Sequence, residues 1–241
     1  NRTANSNSRS TVVVLQSSYL PWRGYFDLIR RADHFVFLDN VQFTRQDWRT
    51  RNRIKTAQGL QWLSVPVLWR GHHRDKISQI LIDNSSNWNQ KHLRSLEQAY
   101  AHAPYLAETL NLLRPFYEQP PERLSVLNQT LTQAIWSYLS DGEEKQFLDA
   151  SDFEPLPSDA NERLIAICRR LDAGAYLSGP AARAYLDMPR WEEEAIDVRF
   201  IEYNYTEYPQ LHGAFEPTVS IVDVMANLGP GSLLEAVRGG A

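Results

Sequence analysis

The chain holds a single cysteine, Cys168, in 241 residues, which excludes an internal disulfide framework and a structural zinc cluster built on thiolates. Cys168 lies in L-I-A-I-C-R-R-L at 164–171, an amphipathic helical pattern that favours a buried, inert thiol over a nucleophile. An excess of positive charge is missing too, since 25 Lys plus Arg stand against 29 Asp plus Glu, a formal charge of -4. Without a strong positive field, nucleic acid is not an expected partner, although a local basic site is compatible with this balance. No apolar run is long enough to cross a bilayer, so membrane insertion is not expected. In the absence of a targeting segment the expected location is the cytoplasm. The chain also lacks a P-loop, a G-x-S-x-G elbow and any internal repeat.

What is present is an apolar content of 43%, enough for one substantial core with a small appendage. Residues 1–10 are polar and aperiodic, the pattern of a disordered leader. From there the chain reads as a strand over Val12–Leu15, a turn around Gly24, a helix over Tyr25–Arg31 and a strand over His34–Asp39. Such a unit leaves the loop after its first strand exposed while helices cover both faces of a parallel sheet. Further strands are expected over Leu60–Val67, where Pro66 marks an end or an edge, and over Ile77–Asp83. Helical periods cover Trp88–Tyr100, Tyr105–Phe116 and Pro121–Leu139, then Asn161–Leu171 and Ile221–Leu228, with strands between at Ala175–Leu177 and Ile196–Tyr203. The expected fold is α/β, a Rossmann-like parallel sheet core with a helical insertion and helical carboxyl-terminal elements. Its parts are an amino-terminal α/β core at 11–87, the insertion at 88–150, and a return to the core with the carboxyl-terminal elements at 151–241. A helical cap formed by the whole carboxyl-terminal half is the alternative.

Chemistry concentrates in the first quarter. Gln16 is an amide placed directly after four apolar strand residues, suited to orienting a substrate or to capping the strand end. Tyr19, Trp22 and Tyr25 crowd the following turn and could bind a ligand or pack on the sheet. Asp39 closes the second strand, where a raised pKa would make it a general base and an ordinary one a turn carboxylate. Beyond it, Gln42 adds neutral hydrogen-bonding capacity. The run D-W-R-T-R-N-R at 47–53 joins the stacking surface of Trp48 to guanidinium groups, of which Arg51 and Arg53 are the candidates to clamp a phosphate or carboxylate, with Asn52 and Lys55 beside them. Trp88 and His92, four apart, put an indole and an imidazole on one helical face, making His92 a second candidate catalytic residue or a satisfied helix histidine. Ser178 offers a hydroxyl at a strand end, and Tyr205 belongs to an aromatic cluster with Tyr203 and Tyr208. The adjacent His72 and His73 have no convergent thiolates or carboxylates, so no metal is assigned.

Several segments resemble the WbqC-like family, which is associated with bacterial surface-polysaccharide and related biosynthetic gene clusters. They are Q-S-S-Y-L-P-W-R-G-Y-F at 16–26, A-D-H-F-V-F-L-D-N-V-Q-F at 32–43, R-N-R-I-K at 51–55, W-L-S-V-P-V at 62–67, I-D-N-S-S-N-W-N-Q-K-H at 82–92, Y-L-S-G at 176–179 and F-E-P-T-V-S-I-V-D at 215–223. The family pattern commonly carries His-Gln-Pro where this chain has Leu15-Gln16-Ser17. A mechanism that needs that histidine therefore has no carrier at Leu15, while Gln16 is retained. The layout is more weakly similar to nucleotidyltransferases, whose H-x-G-H tetrad is replaced here by Trp22-Arg23-Gly24-Tyr25. The resemblance implies a biosynthetic transferase acting on an amino- or hydroxyl-bearing sugar or specialised metabolite, with an acyl or aminoacyl donor. A nucleotidyl or phosphoryl transferase and a noncatalytic sugar- or nucleotide-binding protein are the alternatives. The implied partners are a small-molecule donor and acceptor, a nucleotide-linked sugar among them; cofactor and protein partners stay unassigned.

Overall fold

Three consecutive valines begin the fold. Val13 is buried in one hydrophobic cluster while Val12 and Val14 are buried in another, as an inner strand of a parallel sheet covered on both faces requires. The computed structural model describes residues 9–72 and 74–241. Of the leader expected over 1–10, residues 1–8 lie outside the described residues, as does His73, and Ser10 opens the first strand. In chain order the elements are β1 (Ser10–Leu15), α1 (Arg23–Arg31), β2 (His34–Phe37), β3 (Arg51–Thr56), β4 (Gly59–Ser64), β5 (Val67–Leu68) and β6 (Leu81–Ile82). There follow α2 (Trp88–Ala99), α3 (Leu106–Glu118), α4 (Leu124–Leu139), β7 (Gln146–Asp149), α5 (Ala160–Arg170), β8 (Ala173–Ser178), α6 (Met188–Glu193), β9 (Asp197–Phe200), α7 (Val222–Leu228) and α8 (Leu233–Ala236).

The main sheet has the order β7-β2-β1-β8-β9, with every pairing parallel. The chain lays strands outward from β1 in one direction, through β2 and β7, and then returns to lay β8 and β9 on the other side. This is the doubly wound, Rossmann-like order, and its reversal between β1 and β8 opens a crevice beyond the carboxyl ends of those two strands. Because β8 and β9 complete the sheet, the carboxyl-terminal half is not a purely helical cap.

The helices α2, α3 and α4 lie between β6 and β7 in the chain. Leu124, Leu127, Leu131, Ile135 and Leu139 of α4 are all fully buried, and they share a cluster with Phe35 and Phe37 of β2. By Gln146 the chain has rejoined the sheet, since β7 pairs with β2. On the opposite face α5 buries Cys168, whose thiol is pushed up to about 12 by burial, the state of an inert core side chain. No helix among the described residues is long and apolar enough to cross a membrane.

Three local expectations need correction. The strand read over Leu60–Val67 ends at Ser64, and β4 turns back antiparallel onto β3, a strand that its charged composition concealed. Ile77–Asp83 is a 3-10 turn over Ile77–Gln79 followed by the two-residue β6, because the buried Ile77, Ile80 and Ile82 are not spaced at a uniform strand period. The four residues of β7 carried no strand reading at all.

Candidate functional site

Where β1 ends, the Gln16–Ser18 turn is fixed from three sides. The Tyr25 hydroxyl donates to the Gln16 carbonyl at 3.0 Å, and the Ser17 N–H donates to Asp39 Oδ1 at 2.9 Å. Arg49 donates through Nη1 to Gln16 Oε1 and through Nη2 to Ser18 Oγ, the latter at 3.1 Å. Asp39 reaches Ser17 because β2 lies beside β1 in parallel register. Its other oxygen accepts from Gln129 Nε2 of α4 at 2.9 Å, and the same amide nitrogen reaches Asp149 Oδ2 at 2.9 Å. Burial pushes the Asp39 carboxyl up, and the hydrogen bonds from Ser17 and Gln129 oppose that rise.

Beyond this turn lies a cavity of about 570 Å³, within the ordinary range for small-molecule sites. Gln16, Ser18, Arg49, Asn52 and Arg53 supply its polar wall, and Trp22, Tyr25, Trp48, Tyr185 and Tyr203 much of its aromatic wall. Gly179, just past β8, completes it from across the sheet reversal. Arg53 Nη2 donates to Thr218 Oγ1 at 2.8 Å. The buried Nε atoms of both Arg49 and Arg53 make no hydrogen bond to any described residue. Arg49 Nε stands 3.9 Å from Asp47 Oδ1, and an anion in the cavity would meet the two guanidinium groups through charge-assisted bonds.

Gly24 explains why guanidinium groups do this work. In dinucleotide-binding folds the first turn of the equivalent helix presents its N–H groups to phosphate. Here the Trp22 indole overlies that turn, so close that a Cβ on Gly24 would stand 2.3 Å from the ring. Trp22 in turn packs edge-on against Tyr203, with centroids 4.7 Å apart. Gly24→Ala should displace the indole and cost about 1–3 kcal/mol, the usual range for overpacking. Denaturant unfolding monitored by tryptophan fluorescence would test this, and an unchanged midpoint would contradict it.

The cavity thus gathers Gln16, Trp22, Tyr25, Trp48, Asn52 and Arg53 from the sequence-based candidates. Asn52 is buried and holds the Leu20 carbonyl through Nδ2 at 2.9 Å. The others lie elsewhere. Arg51 stacks on Trp62 at 4.3 Å, outside the cavity wall. Lys55 donates to Gln210 Oε1 at 3.0 Å and to the Ala214 carbonyl at 2.6 Å, anchoring a loop away from the cavity. Tyr205 donates to Asp27 Oδ2 at 2.9 Å, while its near neighbour Tyr203 takes the cavity position. Ser178 is buried next to Gly179, and Gln42 is exposed and bridges to Lys76.

Tyr19, Trp88 and His92 form a separate buried cluster with Tyr117. Tyr19 Oη meets His92 Nδ1 at 2.8 Å and also bonds Tyr117 Oη, while Trp88 stands edge-on to His92 at 5.1 Å. The four-residue spacing does place Trp88 and His92 on one helical face, and that face is interior. Burial lowers the His92 pKa to about 4, leaving a neutral ring at pH 7. Neither Asp39 nor His92 lines the cavity. The sequence reading passed over Arg49, Tyr185 and Thr218 as site residues, and of the tyrosine cluster it chose Tyr205 where the cavity takes Tyr203. Arg49 was visible within the D-W-R-T-R-N-R run but carried no mark that set it above its neighbours.

A parallel sheet of this order, with a ligand-sized cavity at its reversal and two guanidinium groups in the wall, defines an α/β protein of the doubly wound, Rossmann-like class. Within that class the chain belongs to the WbqC-like protein family, whose model matches residues 16–235. It is 45% identical over 220 residues to the uncharacterized protein Rv1507c of Mycobacterium tuberculosis, an alignment spanning 90% of this chain and 94% of the relative. No solved structure matches the chain.

Proposed function

We propose that this protein is a biosynthetic transferase that binds an anionic donor in the cavity and passes an acyl or aminoacyl group to an amino- or hydroxyl-bearing sugar or metabolite. The observation that carries this reading is the pair of guanidinium side chains, Arg49 and Arg53, in the wall of one cavity at the sheet reversal. The association of the WbqC-like family with polysaccharide gene clusters supports the biosynthetic context. Arg49 and Arg53 hold the donor's phosphate or carboxylate. Gln16, whose side-chain oxygen is taken by Arg49, keeps its amide N–H groups for the reacting partner. Trp22, Tyr25 and Tyr203 exclude water around it. Asp39, with both oxygens engaged, holds the turn that presents Gln16.

Incubating the protein with paired donor and acceptor panels and weighing the products tests the reading. A product heavier than the acceptor by the acyl group supports it. Pyrophosphate release would favour nucleotidyl or phosphoryl transfer instead. Saturable binding without turnover would favour a sugar- or nucleotide-binding protein, a reading suggested by the burial of Asp39 and His92 behind the cavity wall. Asp39→Asn should retain turnover within about tenfold, because asparagine keeps an oxygen for the Ser17 N–H and loses only the Gln129 bond, whose donor stays engaged with Asp149. A loss of about 10²–10⁴ with unchanged donor affinity would instead assign Asp39 to proton transfer.

A further inference from the structure

The mouth of the cavity carries a feature that a simple carboxylate donor leaves unused. Trp48 and Trp62 are 46% and 44% exposed, although most large aromatic side chains of this protein are buried. Their rings touch, with centroids 5.8 Å apart at 33°. Trp62 is itself held in place by the guanidinium groups of Arg51 at 4.3 Å and Arg53 at 5.5 Å, a cation–π arrangement that stiffens a side chain which would otherwise be free to move. Trp48 belongs both to this pair and to the cavity wall. The two rings already contact each other, so an incoming planar group stacks on Trp48 from the cavity side rather than entering between them.

The cavity wall thus joins a half-exposed indole, Trp48, to the guanidinium groups of Arg53 and Arg49. A stacking surface joined to two guanidinium groups matches a planar base joined to two linked phosphates. The net charge of -4 disfavours a long polyanion and points to one compact ligand. With the Trp22 ring lying against Gly24 in the first turn of α1, the arginines rather than that turn are the groups offered to a phosphate.

We propose that the cavity recognises a nucleoside diphosphate moiety, its base stacked on Trp48 against Trp62 and its phosphates held by Arg53 and Arg49. The inference rests on the anion-binding reading given above and deepens it. Such a moiety could be the handle of a nucleotide-linked sugar or of a nucleotide-bearing acyl carrier; the chemistry recognised is the same.

Calorimetric titration of the full chain with UDP, ADP, CDP, GDP, uridine and inorganic pyrophosphate tests it. At least one nucleoside diphosphate should bind tenfold or more tighter than pyrophosphate, a gain in the range of a single base–aromatic stack. Trp48→Ala should abolish that gain while leaving pyrophosphate affinity unchanged, and Trp48→Phe should restore most of it. Because Trp48 is half-exposed, these variants are expected to fold, which a thermal melt checks. Pyrophosphate binding with no added affinity from any base overturns the nucleotide inference and spares the anion-binding reading. Failure of every phosphate compound to bind overturns the nucleotide inference and, with it, a phosphate-bearing donor in the reading above. An undiminished nucleotide preference in Trp48→Ala also overturns it. UDP-glucose and coenzyme A, as further titrants, separate the sugar-linked source from the acyl-carrier source.

Discussion

Arg49→Ala should weaken the binding of inorganic pyrophosphate about a hundredfold. A hydrogen bond to a charged group contributes about 1.5–3 kcal/mol, and each 1.4 kcal/mol is a factor of ten. Arg49 stands in the cavity wall and also fixes the Gln16 and Ser18 side chains, so its removal takes away a charged contact and loosens the turn around it. Arg49→Lys should recover little, since a point charge cannot hold Gln16 and Ser18 and still offer a further in-plane donor. Arg53→Ala should cost about tenfold, because its remaining partner Thr218 lies on the other rim. Arg51→Ala, outside the cavity wall, should cost less than about threefold. Calorimetry on the four variants gives this ranking directly, and wild-type affinity in Arg49→Ala would sink the assignment.

The second large effect is one of pH on stability. The buried His92 ring has its pKa lowered from the ordinary 6.5 to about 4 by desolvation, which a hydrogen bond to the Ser64 backbone only partly opposes. Above pH 6.5 the ring is neutral in folded and unfolded chains alike and its contribution is fully present. Between 6.5 and about 4 the unfolded chain takes up a proton that the folded chain refuses, so stability is lost as pH falls. Across that window His92 alone should remove about 3 kcal/mol. Asp39 and Asp223 act in the opposite sense, because their raised pKa values let the folded state take protons first as pH falls. The contribution of His92 is therefore read by comparison with His92→Gln, whose unfolding free energy should fall less between pH 7 and pH 4. Parallel pH profiles for the two proteins would refute it.

The legible parts of the fold were those in which burial imposes a period. β1 and β2 are unbroken apolar runs, and α4 repeats leucine and isoleucine at helical spacing, so each declares its own form. The closeness of Asp39 to the Gln16 turn followed from placing two such strands side by side. β3 could not be read in this way, because its buried positions, Asn52, Ile54 and Lys55, include only one apolar residue, and β7 is too short to show a period. Arg49 precedes β3 in a turn closed by the Thr50 N–H to the Asp47 carbonyl at 3.2 Å, where alternation says nothing about direction. Tyr185, Tyr203 and Thr218 reach the cavity only through the reversal of strand order, which no local pattern in the sequence expresses. Tyr19 and Trp88, read as candidate ligand-binding aromatics, are both core side chains, because spacing places residues on one helical face without saying whether that face is interior.

The bond from Arg53 to Thr218 spans 165 positions in the chain, and the cavity has a wall on either side of the β1–β8 seam. During synthesis the amino-terminal half can leave the ribosome with Gln16, Arg49 and Arg53 already formed as residues but with no opposite wall to close on. The cavity is therefore complete only once β8 has paired with β1 and the segment through Thr218 lies across the opening. A fragment ending before Gly179 should have no measurable affinity for the ligand, and ligand added during refolding should act on the last docking step rather than on the early collapse of the first strands.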